Sequence, residues 1–219
     1  MKSATFIFFL VCSTFTFGQH EFMLWTELGV KGKLTKDLSW ATELNTRFNS
    51  AGVQTFFPQA KLKYEVTKWF EPSVDYRLVT DKNKYGNYKL SHRVNVNAEF
   101  SEKIKRLKME LRLRYQYAFN RINTANYDAD FDQAIRLRPS IEYDIDNSIF
   151  TPTFGAELFY NPVYGPSGHQ ITKVRYALGV KLELNDPHGI NIKYQLDKWL
   201  RDYSKSLRHV LSVSYSYKF

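Results

Sequence analysis

Hydrophobic and polar residues alternate along the segment 107–119. Every odd position in it carries an apolar or aromatic side chain, whereas the even positions include Lys108, Glu110, Arg112 and Arg114. Because successive side chains of a β-strand point to opposite faces, this period of two predicts a strand with one apolar face and one charged face.

The same alternation recurs along almost the whole chain and predicts eleven strands. They cover 22–32, 38–48, 55–66, 69–80, 88–100, 106–120, 132–144, 149–160, 171–184, 189–198 and 207–219. Alternating segments of about ten residues, separated by turn residues, are typical of transmembrane β-barrels. We therefore predict an all-β fold, a single antiparallel transmembrane β-barrel. Tryptophans near strand ends, such as Trp25 and Trp199, are then expected at the level of the lipid headgroups.

Apart from Lys198 at the very end of the tenth segment, the apolar faces of the predicted strands carry no Asp, Glu, Lys or Arg, and His92, Gln133 and His209 are the most polar of the other members. A lysine or arginine at the centre of the bilayer costs about 2–4 kcal/mol on the outer face of such a barrel. The absence of charge thus favours outer-membrane lipid and lipopolysaccharide as the surroundings of this face.

The connections between predicted strands alternate in length, as periplasmic turns and external loops do. Short ones lie near 67–68 and 185–189, and longer ones at 121–131 and 161–170. A soluble β-sandwich or lipocalin-like barrel also alternates along its strands, but it does not require this alternation of loops. The last strand ends on Phe219, which predicts recognition by the barrel-insertion machinery.

Bacterial single-chain barrels have an even number of strands, whereas eleven segments are counted here. We therefore predict 10–12 strands and expect 10 or 12. On this expectation one segment contains two strands, one lies outside the wall, or the mature N-terminus passes back through the lumen.

The N-terminus has the composition of an export signal. Lys2 precedes the apolar stretch Phe6–Val11, and small and aromatic residues follow to Gly18. We predict a cleaved signal peptide over 1–18, a barrel over 19–219 and an outer-membrane location. The only cysteine, Cys12, lies within the signal, so the mature chain forms no internal disulfide.

The charged faces of the strands supply the candidate functional residues. We predict a ladder of lumen charges made of Glu43, Arg47, Arg77, Arg93, Glu110, Arg112, Arg114, Arg136, Arg138, Glu157 and Arg175. A barrel of 10–12 strands is narrow, so residues of opposite sign are expected to pair across it. This favours a structural barrel with a charge-filled lumen, and the alternative is a narrow anion-biased pore for small solutes.

Composition and motifs argue against other functions. The net charge of +9 suggests nucleic acid, but the basic residues alternate along strands of an exported chain and form no exposed stripe. None of the five histidines has a serine two residues later, the spacing of outer-membrane lipid-modifying enzymes. We predict a protein that is not an enzyme and that uses no cofactor or metal. Its oligomeric state is left open.

Short motifs in order along the chain resemble the DUF2490 family, uncharacterised outer-membrane β-barrel proteins of Bacteroidetes-type bacteria. They include Tyr76-Arg77, His92-Arg93, Arg112-x-Arg114-Tyr115, Arg136-x-Arg138-Pro139 and Glu157-x-Phe159. The resemblance spans about 22–219. It implies an outer-membrane barrel and assigns no catalytic residue.

Overall fold

The structure is a closed barrel of eleven β-strands. The computed structural model describes residues 20–83, 85–119, 133–163, 168–184, 187–200 and 207–219. The predicted signal peptide, 1–18, lies outside the described residues. Within the described ranges there is no helix long and apolar enough to cross a membrane.

Each of the eleven predicted segments corresponds to one strand, with ends that differ by a few residues. The strands are β1 His20–Lys33, β2 Leu38–Asn49, β3 Gly52–Tyr64, β4 Phe70–Lys82, β5 Tyr88–Ile104, β6 Leu107–Phe119, β7 Gln133–Tyr143, β8 Phe150–Asn161, β9 Gln170–Glu183, β10 His188–Trp199 and β11 Leu207–Lys218. Consecutive strands pair around the barrel, and β11 returns to β1. The all-β prediction is confirmed.

The barrel closes through one parallel pair. Strand β1 pairs with β11 in parallel over twelve residues, from His20 opposite Leu207 to Lys31 opposite Lys218. All other neighbouring strands are antiparallel. An up-and-down chain with an odd number of strands has its first and last strands running the same way. The expectation of 10 or 12 strands and of purely antiparallel pairing was therefore wrong, because a parallel ladder removes the sheet edge equally well.

Connections at the two ends of the barrel differ in length. One end holds 34–37, 65–69, 105–106, 144–149 and 184–187, and the other holds 50–51, 83–87, 120–132, 162–169 and 200–206. The second end contains the three longest connections, but also the two-residue turn 50–51. We call this second end the long-loop end. Strand β1 also begins there.

The polarity of the barrel is inverted relative to a soluble protein. Among the described residues, 7 hydrophobic side chains are buried and 18 polar or charged ones are buried. Large apolar side chains instead cover the outer surface, where Leu28 and Leu178 are 60% and 62% exposed. The apolar face predicted for each strand is this outer face, and the charged face lines the interior.

One glycine permits close packing in the wall between β9 and β10. A Cβ at Gly179 would lie 2.5 Å from Cγ of Lys193 and 2.7 Å from the backbone oxygen of Ile192. Any larger residue would therefore push β9 away from β10, on the inner face where the Lys193 stem crosses.

Candidate functional site

The barrel encloses a cavity of about 1130 Å³. It extends from Asn49 and Tyr85 at the long-loop end to Glu142 and Lys181, close to the other ends of β7 and β9. All eleven residues of the predicted charge ladder line this cavity. The alternation of the strands places them there, since each occupies an inward position of its strand.

The ion pairs of the interior run along the wall. Glu157 on β8 is 97% inaccessible to solvent and accepts hydrogen bonds from Arg136 on β7, at 3.0 Å from Nε to Oε1 and 2.9 Å from Nη2 to Oε2. It also accepts a bond of 2.8 Å from Nη2 of Arg112 on β6, and Nη1 of Arg175 on β9 lies 3.8 Å away. One carboxylate thus binds three guanidinium groups from nearby strands.

Two further carboxylates act as similar centres. Asp75 on β4 lies 3.1 Å from Nε of Arg77 and 3.4 Å from Nη2 of Arg114, and it accepts a hydrogen bond of 2.5 Å from Asn95. Asp197 on β10 is bound by Nε and Nη2 of Arg175, at 2.5 and 2.8 Å, and by Nζ of Lys173 at 3.2 Å. Both carboxylates are fully enclosed by these partners.

The expectation of pairing across the lumen was wrong. Among the described residues, every ion pair between inward side chains joins positions on the same strand, on adjacent strands or on strands separated by one other, counting β1 and β11 as neighbours. Arg138 with Glu110, at 2.7 Å on adjacent strands, is a typical example. Neighbouring side chains on the wall reach one another at less entropic cost than chains that must extend across the cavity. The cavity consequently occupies the centre of the barrel.

The register of the sheet places arginines directly opposite one another. Arg77 faces Arg93 between β4 and β5, and Arg112 and Arg114 on β6 face arginines at 138 and 136 on β7. Like charges directly opposite are destabilising. Three such pairs in adjacent parts of the wall concentrate positive charge that the shared carboxylates only partly compensate.

Arginine and aromatic side chains alternate around the inner wall. We call this arrangement the arginine–aromatic belt, and its members are Arg136, Phe159, Arg175, Trp25, Arg47, Phe57 and Arg77. The guanidinium carbon lies over the neighbouring ring in each contact, at 4.5 Å for Arg136 and Phe159 and 5.4 Å for Arg175 and Phe159. Arg175 and Arg47 lie 4.9 and 4.2 Å from the centre of Trp25.

The belt continues on the other side of Arg47. Its guanidinium carbon is 5.1 Å from the centre of the Phe57 ring, and that of Arg77 is 5.3 Å from the same ring. Cations over aromatic faces gain about 0.5–2 kcal/mol each. The rings thereby hold the guanidinium groups in place without neutralising them.

Arg47 differs from the other arginines of the belt. Within the described part of the chain, no carboxylate lies within 4 Å of its guanidinium group and no hydrogen bond to it is formed. The charged groups around it include the cations Arg93, Arg175 and Arg77. Asp81, an acid whose charge also acts on Arg47, accepts a hydrogen bond of 2.6 Å from Thr55.

Sequence reasoning missed the aromatic part of the site. Trp25 and Trp199 line the cavity, so the expectation that they lie at headgroup level was wrong. Both tryptophans occupy those alternate positions of their strands that face inwards. This alternation was the feature of the sequence that could have placed them in the interior. Phe57 and Phe159 occupy such positions too, and Asp197 completes the site from β10.

The histidines lie apart from the cavity. His92 is bonded to Tyr76, and His209 to Tyr194 and His20, all on the outer face. The residues that the structure describes contain no cluster of three or more His, Cys, Asp or Glu side chains able to hold a metal ion.

Comparison with known proteins identifies the family. A family model described as a protein of unknown function, DUF2490, matches residues 22–199, from the first strand to the end of the tenth. No curated protein matches the sequence. The chain therefore belongs to the DUF2490 family.

Proposed function

We propose that the protein is an outer-membrane β-barrel that provides a narrow, anion-biased passage for small solutes. The membrane part of this proposal is supported by the inverted polarity. A surface on which Leu28 and Leu178 are more than half exposed would be an aggregation hazard in water, and hydrocarbon lipid is the solvent that suits it.

The arrangement of the ion pairs carries the proposal of a passage. A lumen filled by charges would require carboxylates and guanidinium groups to meet in its centre, whereas the pairs centred on Asp75, Glu157 and Asp197 follow the wall. The cavity of about 1130 Å³ extends along most of the barrel. This favours the pore over the charge-filled structural barrel that the sequence favours.

The balance of charge supports a preference for anions. Three carboxylates, Asp75, Glu157 and Asp197, are shared by six cationic side chains in the belt region, and Arg47 adds a further cation. Narrow, low-dielectric surroundings concentrate such a field and enrich counter-ions of the opposite sign. Chloride and small organic anions are the expected solutes.

The remaining parts of the proposal concern export and chemistry. We propose export through a signal peptide over 1–18, contact with outer-membrane lipid and lipopolysaccharide, and insertion by the barrel-insertion machinery, which the aromatic final strand supports. We also propose that the protein is not an enzyme and needs no cofactor; in support, the described residues that line the cavity include neither a histidine nor a cysteine that would activate a nucleophile.

Planar-bilayer recording of refolded mature protein tests the passage. In a gradient of potassium chloride, the reversal potential is expected to indicate anion preference. Arg47→Glu should shift it towards cations, since it reverses a charge in the belt. Lys36→Glu makes the same change of charge in the exposed turn 34–37 and should leave selectivity close to that of the wild type.

Two results would contradict the proposal. Absence of discrete conductance in protein that shows a heat-dependent shift on gels would indicate a structural barrel. A mature chain that stays soluble without detergent, and migrates identically before and after boiling, would indicate a soluble β-protein.

A further inference from the structure

We infer that the belt contains a discrete binding site for a tetrahedral oxyanion with two negative charges, a phosphate or sulfate group, centred on Arg47. The inference rests on the proposed function, since the site lies inside the lumen that the passage opens to solutes. It adds a saturable site and a class of ligand to a general preference for anions.

The guanidinium group of Arg47 is held in position without being neutralised. Trp25 lies on one neighbouring strand and Phe57 on the other, 4.2 and 5.1 Å from its carbon. A contact with an aromatic ring does not use up the hydrogen-bond donors of a guanidinium, and this group carries five N–H donors in a fixed fork. Arg47 therefore presents a fixed fork of donors to the cavity that it lines.

The surroundings of Arg47 favour a ligand with more than one negative charge. Arg77 contacts the same Phe57 ring, and Arg175 contacts the same Trp25 ring. Arg77 donates to Asp75 through Nε, and its terminal nitrogens donate no hydrogen bond to a carboxylate among the described residues. An anion bound to Arg47 is therefore also attracted by Arg77 and Arg175, which contact the same two rings. A dianion gains more from the positive potential of these three arginines than chloride does.

Guanidinium forks match the spacing of oxygens on phosphate and sulfate, and they bind these groups through two parallel hydrogen bonds. A spherical halide accepts no such pair in a defined geometry. The cavity, at about 1130 Å³, also accommodates a small organic group that carries the oxyanion. Free phosphate, sulfate and a sugar phosphate consequently share the chemistry of the site.

Titration calorimetry of the refolded protein in detergent micelles tests the site, at constant ionic strength set with potassium chloride. The probes are inorganic phosphate, sulfate and glucose 6-phosphate. We expect saturable one-to-one binding, weakened at least about tenfold in Arg47→Gln and less in Arg47→Lys. A preference for glucose 6-phosphate over the inorganic ions would identify an esterified ligand as the natural source, and the reverse order would identify the free ion.

Arg208→Gln is the matched control. Arg208 also stacks on a tryptophan, with its guanidinium carbon 4.7 Å from the centre of Trp199, but it is bonded to Glu21 at 2.6 Å. Its replacement removes the same charge and the same kind of stack near the long-loop end, so phosphate affinity should stay within about twofold of wild type.

The outcomes separate the site from the passage. Linear, unsaturable heats at fixed ionic strength, or equal loss of affinity in Arg47→Gln and Arg208→Gln, would overturn the site even if the bilayer current is anion-selective. Saturable binding that depends on Arg47, in a protein without conductance, would overturn the passage and leave the site standing. A heat-dependent gel shift of each variant shows that the barrel has formed.

Discussion

Replacement of Glu157 by glutamine is the most direct test of the ion-pair arrangement. Glu157 receives Arg136 through two hydrogen bonds and Arg112 through one, and its side chain is only 4% exposed. Glutamine keeps the volume and one acceptor oxygen but removes the charge. Arg112 and Arg136, which already face other arginines across β6 and β7, then lose the carboxylate that they share.

The expected loss of stability follows from burial and the number of partners. Removing one member of a buried ion pair costs about 3–5 kcal/mol, and the cavity that Glu157 lines, at about 1130 Å³, has room for water that would screen the remaining charges. We therefore expect the lower end of that range, about 3 kcal/mol. Glu110→Gln is the comparison, because Arg138 is the single ion-pair partner of Glu110 among the described residues and both side chains are more accessible, at 18% for Glu110 and 32% for Arg138. A pair of that kind contributes about 0–1 kcal/mol.

Urea unfolding of the refolded barrel in lipid vesicles provides the measurement, with tryptophan fluorescence and the gel shift as independent readings. Both variants and the wild type are compared at one salt concentration, since ionic strength screens the freed arginines. If Glu157→Gln loses less than about 1 kcal/mol, or no more than Glu110→Gln, then the carboxylate is not the centre of the arrangement and the reasoning fails.

Three other changes test the fold. Leu178→Arg on the outer face should lose about 2–4 kcal/mol in vesicles, whereas Leu34→Arg in the turn 34–37, at a similar exposed fraction of 59% against 62%, should be neutral in the same urea titration. Equal effects would argue against lipid around the strands. Gly179→Ala should lose about 1–3 kcal/mol, because the new methyl group would lie 2.5 Å from an atom of β10, and wild-type stability would show that the wall yields there. The double variant Thr26→Cys with Val213→Cys should form a disulfide on mild oxidation, because these residues are partners in the parallel pair, and a pair shifted by four residues along β11 should not. Disulfide formation in the shifted pair alone would show a different closure of the barrel.

The alternation of residues determined most of the architecture. All eleven strands were predictable because burial of one face and exposure of the other imprint a period of two on each segment. The same parity determined which charges point inwards, so every residue of the predicted ladder lines the cavity. These are local properties, which each strand expresses on its own.

Closure and pairing were decided only by the tertiary structure. Whether eleven strands close into a barrel depends on whether β1 pairs with β11. Their first partners, His20 and Leu207, are 187 positions apart along the chain, and nothing in either segment specifies a parallel partner. The partner of each charge depends on the stagger between strands, which places Arg77 opposite Arg93 and brings Glu157 within reach of Arg112 two strands away. The sequence determined that the interior is charged. The register, set by contacts between strands, decided that its ion pairs follow the wall and that Arg47 faces the cavity with no carboxylate of the described strands bound to it.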